Sequence, residues 1–496
     1  MALALICALV VLLYVRTINY YYVIDDNVKR DGYMYEVPLD GPLPSHWTSK
    51  PPKLYRVFMI GMHCVNVSVI YLLWGWAPAL LFAVHPLGVW GTAWVTGNYY
   101  ATTAYFCLIA YYLLHVFPNI YGALGAMALY TAALNSTICA LTFPFLFLFI
   151  GTPWGLVLLF PLFMYLRGKR FTAGIKTRLD FNKGKPVDAR FTWRRLLVMT
   201  KVVARYIHVC LLPEKLGFFR LFGSDLHTNQ KRYDWTHKAN REFWESLAVC
   251  LTLFLGGLYI NPVGTFWFFG IILLHSQWNL TGQFFAERYA YLPLIGLCVI
   301  AGTVLQHYPI AMTAVVTYLV YRTNKFIPAW EKMKSLWKND VEVFPENPKV
   351  HSNLAQYYMN FNDGKTHIPA YRVNETAMLL QKALAMDSNL WEVNMNMACF
   401  CATINNVEDA LKWTDRAIEV LEPIAAESGK FALDKLYDQR KRLIDSIEQG
   451  RIGADDKSPS LTPPAGNNAE QNKEKENDKS KSESKTSKRV PKPARN

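Results

Sequence analysis

The sequence predicts an all-α protein in which many membrane-spanning helices precede a small helical domain and a disordered tail. Of its 496 residues, 52% are hydrophobic and only 18% are charged. Apolar stretches close to the roughly 20 residues that cross about 30 Å of hydrocarbon recur through the first two thirds of the chain. After residue 322 they give way to helical periodicity of ordinary polarity, which ends near residue 452.

The apolar stretches define the predicted spans. They lie at about 2–22, 54–74, 76–86, 99–117, 119–135, 137–151, 153–166, 196–212, 245–261, 264–282, 289–306 and 308–321. Several are short or interrupted by proline, so we expect about 11 true spans and one re-entrant or interfacial stretch. The first stretch lacks a basic leader and a small-residue cleavage site, which predicts an uncleaved anchor.

The net charge of +14 is unevenly distributed. Residues 167–195 contain ten Lys or Arg and two Asp, and they lie between apolar stretches. Such an excess of basic residues is typical of a cytosolic loop, which also contacts anionic lipid headgroups. The distribution therefore predicts a topology determinant, and no nucleic-acid partner is expected.

The polar region after residue 322 contains a pattern typical of tetratricopeptide repeats. In residues 391–423, Ala398 provides the small residue of a close helix contact, Ala410 and Ala417 are seven apart, and Pro423 lies near the repeat end. The segments "HSNLAQYY" and "ETAMLLQKALAMDSN" predict the two helices of a preceding repeat. Such stacks bind peptides or partner domains, or serve as a structural cap.

Three regions follow from these patterns. Residues 1–322 form the transmembrane region. Residues 323–452 form the repeat region, with flanking helices expected at about 326–344 and 428–449. Residues 453–496 lack aromatic residues and periodicity. They cannot bury enough apolar surface to offset the entropy of ordering, so we predict that they are disordered.

Two groups of polar and aromatic side chains lie at predicted membrane boundaries. Asp25 and Asp26 follow the first span, where they are either solvated carboxylates or catalytic groups. His85, followed by proline, ends a short apolar helix, and Trp90 and Trp94 come next at helical spacing. The two tryptophans are either interfacial anchors or part of a substrate pocket.

Glu287 and Arg288 form a third group, directly before an apolar span. A guanidinium at that depth needs a compensating anion, which a protein carboxylate or a ligand phosphate can supply. An internal pair between Glu287 and Arg288 is the alternative to ligand binding.

Taken in order, these stretches resemble a known family. "YVIDDN", "HPLGVWGTAWV", "ALTFPFLFLF", "YIHVCLLPEKLGFF" and "AERYAYLPLIGL", followed by a tryptophan-rich junction and "NPKVHSNLA", resemble membrane proteins that join a GT-C glycosyltransferase core to tetratricopeptide repeats. The family includes bacterial members and the eukaryotic transmembrane and tetratricopeptide-repeat O-mannosyltransferases. The resemblance covers about residues 2–423, and "AERYAYLPLIGL" is among its most specific parts.

The resemblance implies an inverting transferase that moves a sugar, mannose in the O-mannosyltransferases, from a polyprenyl-phosphate donor to Ser or Thr hydroxyls of exported or lumenal proteins. The site would face the periplasm of a bacterial inner membrane or the lumen of the endoplasmic reticulum, on the same side as the repeats, which would present the acceptor protein.

The resemblance also implies roles for residues. One of Asp25 and Asp26 would be the general base, and the pair could also hold a divalent cation. Arg288 would neutralise the donor phosphate. The pocket would be lined by His85, Trp90, Trp94 and Glu287.

Two positions depart from the family pattern. Where members commonly have a glutamate after the His-Pro pair and an arginine further on, this chain has Trp90 and Asn98. The departures imply either a changed donor specificity or an inactive relative, and they favour an alternative function, an inactive scaffold whose repeats recruit a partner protein. A transporter of lipid-linked sugars also fits many spans, but it does not explain the pair Asp25 and Asp26.

Overall fold

The computed structural model describes residues 1–20, 23, 52–147, 153–168, 193–219, 237–276, 285–360, 368, 370–424 and 427–448. These residues form helices, short 3₁₀ turns and connections, and no β-strand occurs among them, which confirms the all-α class. Asp25, Asp26, residues 169–192 of the basic stretch and the tail from 453 lie outside the described residues.

The helices fall into an apolar and a polar set. The first set is α1 (Ala2–Tyr14), α2 (Pro52–Trp74), α3 (Trp76–Val84), α4 (Val89–Thr92), α5 (Asn98–Val116), α6 (Ile120–Ser136), α7 (Leu159–Arg167), α8 (Trp193–Leu211), α9 (His237–Ile260), α10 (Pro262–Ile272), α11 (Tyr291–Leu305) and α12 (Pro309–Phe326). The second set is α13 (Met333–Val343), α14 (Pro348–Asn360), α15 (Ala370–Met386), α16 (Trp391–Thr403), α17 (Val407–Leu421) and α18 (Glu427–Glu448).

Four described helical segments are long and apolar enough to cross a membrane. They are Ala2–Asn19, Lys53–Trp74, Arg241–Ile260 and Glu287–Leu305. This is fewer than the eleven or so spans expected, in part because some predicted stretches form helices that are too short to cross. Gly75 has a φ of 88°, which favours glycine, and it separates α2 from the nine-residue α3. A helix of that length rises only about 14 Å, so the larger number of spans stays a prediction.

One apolar core extends from the first helix into the polar set. It contains Ile6 of α1 and Tyr358 of α14, and it includes Val23, which is completely buried. Trp330 and Trp337, which follow α12, are buried in the same core. The apolar packing therefore continues past residue 322, where the composition changes.

The helices after α13 pack as successive neighbours. α14 lies against α15, α16 against α17, and α17 against α18. The small residues expected at helix contacts, Ala398, Ala410 and Ala417, are completely buried. Asn406 caps α17, because its side-chain oxygen accepts a hydrogen bond from the backbone N–H of Asp409 at 3.2 Å. Paired helices with alanines at their contacts are compatible with the repeat pattern.

Several helices of the first set end at the same end of the bundle, which we call the junction end. The guanidinium of Arg16, just after α1, donates to the carbonyl of Asn324 in the last turn of α12 at 2.8 Å. The hydroxyl of Thr323 donates to the carbonyl of Val84 at the end of α3, at 2.7 Å. The chain therefore leaves α1 and α12 at one end of the bundle.

The buried His351 of α14 predicts a pH-dependent stability. Its Nε2–H donates to the carbonyl of Pro345 at 2.8 Å, and burial lowers the pKa of the imidazole. The unfolded chain therefore binds a proton more readily, so the free energy of unfolding should decrease as the pH falls below roughly 6.5. We expect His351→Gln to flatten the pH dependence of the thermal unfolding midpoint of the full chain in detergent. His307→Gln, at an exposed histidine, is the control, and equal slopes in both variants would contradict the assignment.

Candidate functional site

His85 ties the turn after α3 to the end of α8. Its backbone is extended, which ends α3 before the proline at the next position. Nδ1 accepts a hydrogen bond from the backbone N–H of Leu87 at 3.2 Å, and Nε2–H donates to the carbonyl of Cys210 at 2.8 Å. The side chain is 2% exposed. Both ring nitrogens are thus engaged within the protein, which makes His85 an anchor of this turn.

Trp90 and Trp94 belong to a buried aromatic cluster. Their rings meet edge-on with centroids 5.8 Å apart, and both contact Phe218, at 5.8 and 5.6 Å. Trp330 completes the cluster, 4.8 Å from Trp90 and 6.1 Å from Trp94. Edge-on arrangements of this kind are favoured by the ring quadrupoles. We call these four residues the aromatic cluster.

The indole N–H groups of the aromatic cluster are buried donors without an acceptor among the described residues. Within the part of the chain that the structure describes, the Nε1 atoms of Trp90, Trp94 and Trp330 are buried and have no hydrogen-bond partner. Buried donors usually find an acceptor, and the ring faces of neighbouring tryptophans are weak acceptors. The aromatic cluster therefore packs as an apolar group, and it contains three N–H donors that have no oxygen or nitrogen acceptor in the described ranges.

Glu287 and Arg288 direct their side chains to different partners. The Glu287 carboxylate is 2% exposed and accepts a hydrogen bond from the backbone N–H of Gly217 at 3.3 Å. Arg288 is half-buried as a residue, and the Nη1 atom of its guanidinium is buried. Its Cζ lies 5.5 Å from the ring centroid of Phe218 and 5.0 Å from that of Tyr289. Arg288 is therefore held between aromatic rings at the start of the last span that the structure describes.

Tyr289 extends the aromatic wall beside Arg288. It stacks on His275 with centroids 4.4 Å apart and planes 9° apart, and it meets Tyr100 edge-on at 6.0 Å. Tyr100, His275 and Tyr289 thus form the aromatic wall beside this cation. A guanidinium held over ring faces keeps its charge, because the rings attract it electrostatically.

Residues 216–219, which we call the strap, were not singled out as a site by the sequence. Asp340 of α13 accepts hydrogen bonds from the backbone N–H groups of Phe218, at 2.9 and 3.1 Å, and of Phe219, at 3.0 Å. Asn339 donates to the carbonyl of Leu216 at 3.0 Å, and Asn347 donates to that of Phe219 at 2.9 Å. The polar set of helices therefore holds the strap through its backbone.

One sequence signal could have identified Asp340. It lies three and four residues after Trp337 and Leu336, on the apolar face of an amphipathic helix. A carboxylate at such a position is costly to bury unless hydrogen-bond donors surround it. The signal indicates a buried partner, but it does not indicate which backbone segment supplies the N–H groups.

The two positions that depart from the expected pattern are both buried. Trp90 is part of the aromatic cluster, and Asn98, at the start of α5, is 2% exposed and donates to the hydroxyl of Tyr55 at 3.4 Å. A guanidinium reaches this loop from another helix, because the completely buried Arg56 of α2 donates to the carbonyl of Ala93. The loop thus contacts an arginine, although not one at position 98.

The described candidate residues all adjoin the segment that follows α8. His85 binds the carbonyl of Cys210 in the last turn of that helix. The strap comes a few residues later, where Gly217 contacts Glu287, and Phe218 contacts Trp90, Trp94 and Arg288. Five candidate residues from two parts of the sequence are therefore assembled around one short segment at the junction end.

The predicted carboxylate pair lies outside the described residues. Asp25 and Asp26 follow Val23, which is buried in the core. In the described part of the chain, no group of three or more His, Cys, Asp or Glu side chains could hold a metal ion. A divalent cation held by Asp25 and Asp26 stays a prediction.

Comparisons with protein-family models, curated proteins and solved structures find no match to this chain. The fold and the site define an all-helical protein with four apolar helices compatible with a membrane. At the junction end it holds a half-buried arginine, a buried aromatic cluster and a strap held by two buried carboxylates.

Proposed function

We propose that this protein is a membrane glycosyltransferase with a GT-C-like core and tetratricopeptide repeats. It moves a sugar, such as mannose, from a polyprenyl-phosphate donor to Ser or Thr hydroxyls of exported or lumenal proteins. The observation that carries the proposal is Arg288, a guanidinium held on aromatic rings at the end of an apolar helix. A lipid-linked phosphate can reach this guanidinium, because its hydrocarbon tail lies in the bilayer and its charged phosphate lies at the membrane boundary.

The proposed chemistry uses two groups, the carboxylate pair and Arg288. One of Asp25 and Asp26 takes the proton of the acceptor hydroxyl, which is a poor nucleophile until it is deprotonated. The oxygen attacks the anomeric carbon opposite the phosphate, so the configuration inverts. The C–O bond to the phosphate breaks, and Arg288 stabilises the negative charge of the departing lipid phosphate. A divalent cation on Asp25 and Asp26 would add positive charge near the same phosphate.

The positions of helix ends support the topology that this reaction needs. Arg16 and Asn324, which are hydrogen-bonded, place the ends of α1 and α12 together. The repeats therefore follow from the end of the bundle at which the Asp25 segment begins. α8 reaches this end at Cys210, and its first residue, Trp193, lies about 26 Å away along the helix. The basic stretch leads into that far end, as expected for a cytosolic loop.

A second candidate function is a catalytically inactive scaffold in the same membrane. The observation that favours it is the complete burial of Trp90 where the resemblance implies a carboxylate. Here the repeats would recruit a partner protein, and the aromatic cluster would only join the two regions. This candidate predicts partner binding without sugar transfer.

The test is sugar transfer by the purified full chain in lipid nanodiscs. Polyprenyl-phosphate donors carrying mannose, glucose or N-acetylglucosamine are offered with Ser/Thr peptides, and Ala-substituted peptides serve as the control. We expect a hydroxyl-dependent product with one donor and release of free polyprenyl phosphate. Transfer from none of the donors, by protein with an intact near-UV circular dichroism spectrum, would contradict the proposal and favour the scaffold.

A further inference from the structure

Phe218 lies between the proposed phosphate-binding arginine and the aromatic cluster. Its ring centroid is 5.5 Å from Cζ of Arg288, and its other contacts include Trp90 and Trp94. Trp337 meets the same ring edge-on at 6.2 Å. The side chain is 7% exposed, so its position is determined by the protein around it.

The backbone on both sides of Phe218 is held by buried carboxylates. Three successive N–H groups, from residues 217 to 219, donate to carboxylate oxygens. Glu287 accepts the first and Asp340 accepts the other two. The bonds to Asp340, at 2.9 to 3.1 Å, hold the strap more tightly than the 3.3 Å bond to Glu287, so the strap cannot shift without breaking them.

Glu287 makes this arrangement specific to the arginine. Glu287 is adjacent to Arg288 in the chain. The hydrogen bond from the Gly217 N–H to Glu287 therefore places the strap beside Arg288. The Phe218 ring then lies against the guanidinium. A guanidinium donates its hydrogen bonds in its own plane, and the Phe218 ring occupies one side of the group. The ring thereby limits the directions in which Arg288 can present its N–H groups.

We infer that Phe218 is a positioning residue for the donor phosphate, acting through Arg288, and that Glu287 and Asp340 hold it in place. The inference rests on the proposed function, because it takes Arg288 as the phosphate ligand. It changes the role of Glu287 from a pocket residue to a support of the strap. It also makes α13 part of the donor site, because Asp340 belongs to that helix.

The experiment measures binding of farnesyl phosphate and of farnesol to the full chain in detergent. The two probes share the lipid tail and differ in the phosphate. We expect the wild type to bind farnesyl phosphate more tightly and Arg288→Gln to lose this preference. Phe218→Leu should weaken farnesyl phosphate binding by about tenfold, the middle of the range for a partly desolvated cation on a ring, with farnesol binding unchanged.

Two further variants separate positioning from folding. Phe218→Tyr retains a ring face and should restore most of the preference for the phosphate. Phe269→Leu removes a ring of matching burial, 8% exposed, that contacts Phe254 and Phe268 and lies outside the site. It should leave the ratio of the two affinities as in the wild type. Near-UV circular dichroism of each variant reports whether the aromatic packing is retained.

The outcomes distinguish the inference from the proposal beneath it. A wild type without preference for the phosphate would overturn both. A preference that Arg288→Gln abolishes and Phe218→Leu leaves intact would overturn the inference alone. Equal weakening of both probes in Phe218→Leu would also overturn it, since that is the result of a structural role only.

Discussion

Asp25→Asn or Asp26→Asn is expected to lower the rate of sugar transfer by about 10²- to 10⁴-fold, the usual contribution of a general base. Asparagine has nearly the shape of aspartate but cannot take the proton of the acceptor hydroxyl at neutral pH. The loss should therefore appear in kcat, with the KM for the donor little changed. The measurement is initial-rate transfer in nanodiscs with the donor identified for the wild type.

The pair of variants also assigns the roles of the two carboxylates. If one variant is inactive and the other keeps most of its rate, the inactive one marks the base. Asp434→Asn, at an exposed aspartate of α18, is the matched control and should transfer at the wild-type rate. Full activity in both Asp25→Asn and Asp26→Asn would show that neither carboxylate is the base.

Gly217→Ala is expected to lower the free energy of unfolding by about 1–3 kcal/mol, the usual cost of inserting a methyl group into a well-packed site. A Cβ at this position would overlap the Oδ1 of Asp340 and lie 2.7 Å from a ring carbon of Phe344. The Asp340 carboxylate cannot move away freely, because it holds Phe218 and Phe219. The measurement is chemical unfolding of the full chain in detergent, followed by near-UV circular dichroism.

Two variants serve as comparisons for this prediction. Gly270→Ala, in α10, adds a Cβ that meets nothing within 4 Å and should change the stability by less than about 1 kcal/mol. Combining Gly217→Ala with Asp340→Ala removes the clash with Asp340 and leaves the one with Phe344. The losses of unfolding free energy in the two single variants should therefore not add in the double variant. Equal stability of Gly217→Ala and Gly270→Ala would mean that the strap is not held as tightly as the hydrogen bonds indicate.

The candidate residues in the described region were predictable because each disrupts a local pattern. A histidine before proline ends an apolar helix at His85, and a charged pair precedes an apolar span at Glu287 and Arg288. The structure places these residues with Trp90 and Trp94 at one end of the bundle. The sequence did not indicate that Glu287 bonds to a backbone N–H, or that both nitrogens of His85 are engaged.

The number of membrane spans is predicted less well by hydropathy than the helical class. About twelve apolar stretches can be read from the sequence, and four described helices have the length and composition to cross a membrane. Hydropathy measures composition over a window and does not register a single break in the backbone. The stretch predicted at 76–86 forms the nine-residue α3, which begins after the positive φ of Gly75 and ends before the extended backbone of His85.

The sequence by itself determined the all-α class, the change of character after residue 322 and the candidate arginine, because periodicity, composition and local charge are properties of neighbouring residues. Only the tertiary structure decided that Phe218 lies against Arg288 and that Asp340, 122 residues after Phe218, holds the strap. Such contacts depend on which helix ends meet in space. No local pattern encodes the partner of a buried carboxylate when that partner is a backbone N–H, which nearly every residue possesses.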